Sequence, residues 1–323
     1  MPRLARAAAL PAALSFVVLA AAPALAAYPG ENGLIAYVSS HSGPPTPTVV
    51  DPDGGVPRAV GRPGQVSPAW SPDGAALAVA GAIARSPRGP ATFEIFTMHL
   101  DGQSTAITSD RGQDFDPAWS PDGTRIAYSA MTGDNRDIWV VDATGGNAQR
   151  LTRNSADEAT PSWSPDGTEI AFTRTRGPDN VIAVMSPDGT HVRTLPTGPG
   201  DDEDPDWSPD GTRIAYTHYA SGSSTADIWT MNAIGGDARP LTHSRANETQ
   251  PAWSPDGRQI AFTSNRRKHD DVWVMPVGGG RATCVTPDPA SDDSPAWGPR
   301  SDIGNLEAVP GMGGASRPTG LSL

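Results

Sequence analysis

Three groups of side chains in this 323-residue chain could do chemistry. The first is a set of four histidines, His41, His218, His243 and His269, accompanied by acidic residues in the same stretches. Imidazole with carboxylate is a ligand set for Zn²⁺ or Mn²⁺, and such a centre would serve a metal-dependent lyase or hydrolase. No His-x-His or His-Glu-x-x-His spacing is present, so scattered surface histidines are the commoner explanation. The second is a set of carboxylates three residues ahead of a proline: Asp114, Glu158, Asp202, Glu248 and Asp292, with Gln65 at the same place in the first copy. Clustered carboxylates suit Ca²⁺. Repetition in phase speaks instead for a structural role, since a scaffold repeats like residues and a site combines unlike ones. The third is Arg266-Arg267-Lys268 beside His269, the dense basic spot of the chain, which contains its single lysine. With Tyr219, these are the candidate contacts for a partner.

The elements that must position these residues are repeats. Trp-Ser-Pro-Asp-Gly begins at Trp70, Trp119, Trp163, Trp207 and Trp253, and a broken copy, Trp-Gly-Pro-Arg, begins at Trp297. The steps between these tryptophans are 49, 44, 44, 46 and 44 residues. A period in the forties, filled with short apolar runs and turn residues, marks one propeller blade per repeat. Residues 117 to 152 serve as the type unit. Pro117-Ala118-Trp119 is strand A, and Ser120-Pro121-Asp122-Gly123 is a turn with Pro, Asp and Gly where turn geometry needs them. Arg125 to Tyr128 is strand B, Ile138 to Val141 is strand C, and Gln149 to Thr152 is a short polar edge strand D.

The chain ends set the blade count. Ile35-Ala36-Tyr37 is a B strand with no A strand before it, and Pro295-Ala296-Trp297 is an A strand with no B strand after it. Each completes the other. The expectation is an all-β, six-bladed propeller of four-stranded antiparallel blades, closed by pairing the N-terminal strands with the C-terminal strand around Trp297. Closure also removes two free sheet edges. The propeller should occupy residues 27–300, and residues 301–323, rich in Gly and without strand pattern, read as a disordered tail.

The phrase Pro-Ala-Trp-Ser-Pro-Asp-Gly, followed by Ile-Ala-Tyr or Ile-Ala-Phe and then Asp-Ile-Trp, resembles the WD40-like repeat (PD40) of TolB-type propellers. The resemblance runs from Asn32 to Arg300. It implies a propeller that binds other proteins, or a non-catalytic propeller of the kind fused to peptidases. A few TolB-like lyases with a His-bound metal supply the enzyme alternative. The chain departs from TolB in having no separate α/β domain ahead of the first strand, and it carries no Gly-x-Ser-x-Gly elbow for an appended hydrolase.

Residues 1–26 have the order of a cleavable export signal: Arg3 and Arg6, an apolar run to Leu19, then Ala24-Leu25-Ala26. Cleavage after Ala26 would leave 22 basic against 36 acidic residues, a net −14. That balance argues against nucleic acid as a partner. No later apolar run reaches the roughly 20 residues of a membrane span. A secreted or otherwise extracytoplasmic monomer that needs no cofactor is therefore expected, binding a protein or extracellular ligand. The lone Cys284 has no partner for an internal disulfide. All nine tryptophans belong to the repeat, six in A strands and three (Trp139, Trp229, Trp273) in C strands, which weakens a sugar-stacking role. The B–C and D–A loops vary most between copies and share one face, so binding is expected there.

Overall fold

The computed structural model describes residues 29–41, 43–83, 91–109 and 112–301. The segment read as an export signal and all but the first residue of the expected tail lie outside these. Six four-stranded antiparallel sheets are arranged around a central channel. Blades 1 to 5 comprise residues 65–106, 114–150, 158–194, 200–240 and 248–284. Blade 6 takes strands B, C and D from Asn32–Ser39, Thr46–Val50 and Arg58–Ala59, and strand A from Asp292–Pro299. Ile35 pairs with Trp297 and Ala36 with Ala296, so the two ends of the chain close the ring. Among the described residues no helix is long and apolar enough to cross a membrane.

The blades hold together through six apolar clusters, one per seam. Each contains one A-strand tryptophan. Trp70 joins blade 6 to blade 1 with Ala36, Val49 and Leu77, and Trp163 joins blade 2 to blade 3 with Ile138, Ile170 and Phe172. Trp297 seals the last seam with Ala261, Val272 and Tyr37. The Ile-Ala-aromatic centres of the B strands are fully buried, for example Ile170, Ala171 and Phe172. Both faces of a B strand meet neighbouring sheets, and that explains an apolar run where an exposed strand would alternate.

The Trp-Ser-Pro-Asp-Gly turn does more than reverse the chain. In blade 2 the Ser120 hydroxyl donates to Asp122 Oδ1 at 2.6 Å and accepts the Arg125 N–H, while Asp122 also accepts the Thr124 N–H at 3.0 Å. Partial burial works against ionisation of Asp122, Asp166, Asp210 and Asp256, yet these bonds hold all four below the usual carboxylate range. The glycine has a second task. A Cβ on Gly123 would sit 3.2 Å from Pro72 Cγ, and one on Gly211 3.0 Å from Pro165 Cγ. From blade 1 to blade 5 the proline of one turn therefore seats on the glycine of the next, locking blade to blade. In the broken copy, a Cβ on Gly298 would lie 2.5 Å from the Trp70 ring, so only glycine fits where the other copies have serine.

Strand D is shorter than expected. In blade 2 it covers Gln149–Arg150 alone. Leu151 and Thr152 both direct their N–H groups at Ile138 O, and the Thr152 hydroxyl accepts the Ile138 N–H at 2.9 Å. The ladder ends because a side chain takes over its next bond.

Candidate functional site

Each A strand carries a β-bulge. In blade 1 Val66 pairs with Ala80 and Ala69 with Ala78, leaving Ser67 and Pro68 opposite a single residue. The proline brings no N–H to the ladder, and the residue before it turns into the left-handed region. This occurs at Ser67, Asp116, Thr160, Asp204, Gln250 and Ser294, with φ between 48° and 56°. Proline disfavours helical backbone in the residue before it, and a non-glycine in this region costs of order 1 kcal/mol. Six such positions are held by packing of the rigid ring.

These six side chains line the channel, whose wall continues past Ser162 and Asp206 to the A-strand tryptophans and to Pro209 and Pro255 of the A–B turns. The channel encloses a cavity of about 240 Å³. That is room for several waters or an inserted side chain, and below the volume of a drug-sized ligand pocket. Hydroxyls on the B strands tie the ring together. Thr173 bonds Thr160 at 2.7 Å and accepts the Asp204 N–H of the next blade at 3.1 Å. Thr217 donates to Asp204 at 3.2 Å and accepts the Gln250 N–H. Thr263 donates to Gln250, whose Nε2 donates to Ser294 at 3.1 Å. Ser129 donates to Asp116 Oδ2 at 2.9 Å, and Ser67 to its Oδ1 at 3.3 Å.

Two carboxyls in this wall are strongly perturbed. Both are partly exposed to the channel. Desolvation pushes Asp204 up to about 7, with the charges of Glu203 and Asp116 adding to it and the Thr217 bond opposing it. Desolvation likewise raises Asp206 to about 7, against the Trp253 N–H at 2.7 Å and the Ser162 hydroxyl at 3.4 Å.

The carboxylates singled out in the sequence do not line the channel. Asp114, Glu158, Asp202, Glu248 and Asp292 are fully buried two residues before the ring, facing strand B of their own blades. The strand's alternation and the bulge decide which side faces the channel, so an offset of two moves the ring from one set to the other. Glu158 accepts Asn154 Nδ2 at 2.7 Å and faces Arg174 at 3.4 Å. Asp202 binds His218 and the Thr197 hydroxyl, and Glu248 binds Arg266 and Ser244. Burial pushes the Asp292 carboxyl up to about 6, opposed by the Ser39 hydroxyl and assisted by Asp288.

The four histidines do not converge either. His218 is buried, with Nδ1 2.7 Å from Asp202 Oδ1 and its ring 4.5 Å from that of Trp229. His269 Nδ1 faces Asp271 at 3.2 Å, His41 faces Asp288 at 3.6 Å, and His243 stands exposed between blades 4 and 5. His218 lies within strand B of blade 4 and the other three in separate loops, and among the described residues no three His, Cys, Asp or Glu side chains form a metal-ligand set. The basic spot also divides. Arg266 is turned inward onto Glu248 and lies over Trp273, 4.5 Å from the ring centre. Arg267 donates to Pro287 O at 3.1 Å, and Lys268 occupies an exposed loop position with φ 81°. Tyr219 is half-buried near the ring, its hydroxyl raised by burial and by Glu203 despite a bond to Asn247. The ring itself has a sequence signal: the residue just before each strand-A proline is polar in every copy yet differs between copies.

A family model described as "TolB beta propeller domain" matches residues 30–224 and 199–304. No curated protein matches the chain. Among solved structures, TolB from Acinetobacter baumannii is 26% identical, with 83% of this chain and 67% of that one covered, at a TM-score of 0.71. A chain of a nidogen–laminin complex is 13% identical, covering 82% and 97%, at 0.65. An oligogalacturonate lyase in complex with manganese is 15% identical, covering 81% and 89%, at 0.54. The last two show likeness of fold alone. With the family model spanning all six blades, this chain belongs to the TolB β-propeller family.

Proposed function

We propose that this protein is an exported, non-catalytic propeller that captures a protein or other extracellular ligand through the face where its A strands begin. One observation carries the reading. Positions that repeat alike, such as Trp, Pro, Gly and the buried carboxylates, are spent on packing. The six residues of the channel ring are unlike: Ser, Asp, Thr, Asp, Gln and Ser. They sit at strained backbone positions, and such strain collects where function requires it. The ring offers carboxylates and hydroxyls to a ligand carrying N–H donors or positive charge. The acidic balance of the chain adds long-range attraction for the same kind of partner. Export is supported by the order of the first 26 residues. The protein acts as a monomer and needs no cofactor.

The lyase alternative would need a metal held by His218, His243 and His269. His218 Nδ1 is already committed to Asp202, and the other two lie in separate loops. Pull-down from the extracytoplasmic fraction tests the binding reading, comparing the wild type with Asp116→Asn and Ser294→Ala. A saturable partner should be retained by the wild type and lost by the ring variants, with thermal unfolding unchanged. Equal capture by all three, or stoichiometric transition metal in the purified protein, would overturn it.

A further inference from the structure

In four of the six seams, the turn between strands C and D presses on the preceding blade. A Cβ on Gly102 would lie 3.6 Å from Val60 O, on Gly145 3.4 Å from Ile107 O, on Gly189 2.6 Å from Leu151 O, and on Gly235 2.3 Å from Pro196 Cδ. Two turns depart from this: that of blade 6, where a Cβ on Gly54 or Gly55 would meet nothing within 4 Å, and that at the seam between blades 4 and 5. The latter turn contains Gly278-Gly279-Gly280, and a Cβ on Gly278 or Gly279 would meet nothing within 4 Å. A groove with a cavity volume of about 540 Å³ takes the place of the contact. That is more than twice the volume of the channel and within the range of small-molecule sites.

The lining has a charge opposite to that of the chain. It includes Arg239, His243 and Arg266 and no Asp or Glu, in a protein of net charge −12. Arg239 and His243 are both exposed. Asp237, two residues before Arg239, is already bound to Arg213 at 2.9 Å. Arg266 is fixed over Trp273 and paired with Glu248, so Arg239 and His243 are the groups available to a ligand. The floor is apolar: Leu241, Met275 and Val277.

We propose that this groove binds a small ligand bearing an oxyanion, a carboxylate or a phosphate. The anion is held by Arg239 and His243, and its apolar part rests on Leu241, Met275 and Val277. The guanidinium offers the paired donors that planar oxyanions accept, and the acids nearest the groove, Asp237 and Asp227, are engaged by Arg213 and by Thr242 and Ser244. The site is separate from the channel ring, and it stands or falls independently of the binding function proposed there.

Calorimetric titration of the full chain at low salt, with inorganic phosphate in one arm and succinate in the other, tests the proposal and tells the two sources apart. At least one should bind saturably at a single site. Arg239→Ala should weaken that binding by at least about tenfold. Arg153→Ala, which removes the side chain at the His243 position of blade 2, should bind as the wild type does. The proposal is overturned if neither anion binds at about 10 mM, or if the two variants weaken binding equally. It is also overturned if Arg239→Ala binds as tightly as the wild type.

Discussion

Asp206 occupies a position where four other copies of the repeat have alanine (Ala69, Ala118, Ala252, Ala296) and one has Ser162. Its carboxyl is held at about 7 by desolvation, although it accepts the Trp253 N–H at 2.7 Å. In the unfolded chain an aspartate ionises near 3.9. Between these two values the folded state holds a proton that the unfolded state has released. Stability therefore declines as pH rises from about 4 to about 7, and is flat above. Three units at 1.36 kcal/mol each give an upper bound of about 4 kcal/mol lost by pH 8. Asp206→Ala removes that loss and leaves the Trp253 N–H without its acceptor, at a cost of about 1–3 kcal/mol. The net expectation is a gain of about 1–3 kcal/mol at pH 8 and a loss of similar size at pH 4. At roughly 2 °C per kcal/mol for a chain of this length, the variant should melt about 2–6 °C higher at pH 8 and lower at pH 4. Asp206→Asn, which keeps an acceptor oxygen, should show the gain at pH 8 with a smaller loss at pH 4. Scanning calorimetry at pH 4, 6 and 8 in phosphate-free buffer reads all three proteins. Parallel melting curves for wild type and Asp206→Ala across this range would refute the reasoning.

Two further outcomes follow from the geometry. Gly211→Ala places a methyl 3.0 Å from Pro165 Cγ at a φ of 69°, whereas Gly133→Ala meets nothing within 4 Å at a φ of 74°. Both should lower the unfolding free energy by about 1 kcal/mol for the backbone strain, and Gly211→Ala should cost measurably more in urea titration. Truncation after Ala290 removes strand A of blade 6 and exposes the edge at Ile35–Tyr37 and the seam at Trp70. Such a chain should lose cooperative unfolding or self-associate through the open edge, as light scattering with size exclusion would show. A monomer that melts like the full chain would count against closure by this strand.

The blade count was legible because a propeller is written twice in its sequence. The period gives the blade, and the orphan strands at the two ends give the closure. Ile35 and Trp297 lie far apart in the chain and pair in the sheet, since the strand of Ile35 has Val50 on one side only and needs a partner on the other. The Asp-Gly turns were legible for a similar reason: local backbone geometry admits few residues there. The interlock of Pro72 on Gly123 was not, because it joins two turns that the sequence treats as separate copies.

The site was less legible, and the misplacement has one cause. A pattern locates a residue along a strand, but a bulge changes the side on which the next residues emerge. Asp114 and Asp116 stand two positions apart; one is buried against strand B and the other lines the channel. A left-handed residue before proline runs against local preference, so local propensity points away from it. The histidines failed for a related reason. Shared loops and adjacent blades bring residues to one face but not within bonding distance. His218 turned inward to a buried carboxylate that needed a partner. Likewise the acidic composition described the whole surface and missed the cationic groove at Arg239, which lies where the glycine turn of blade 5 stands clear of blade 4. Periodicity and turn chemistry, which act over a few residues, were determined by the sequence alone. The ring, the buried pairs and the groove depend on how six near-identical sheets meet, and only the tertiary structure decided them.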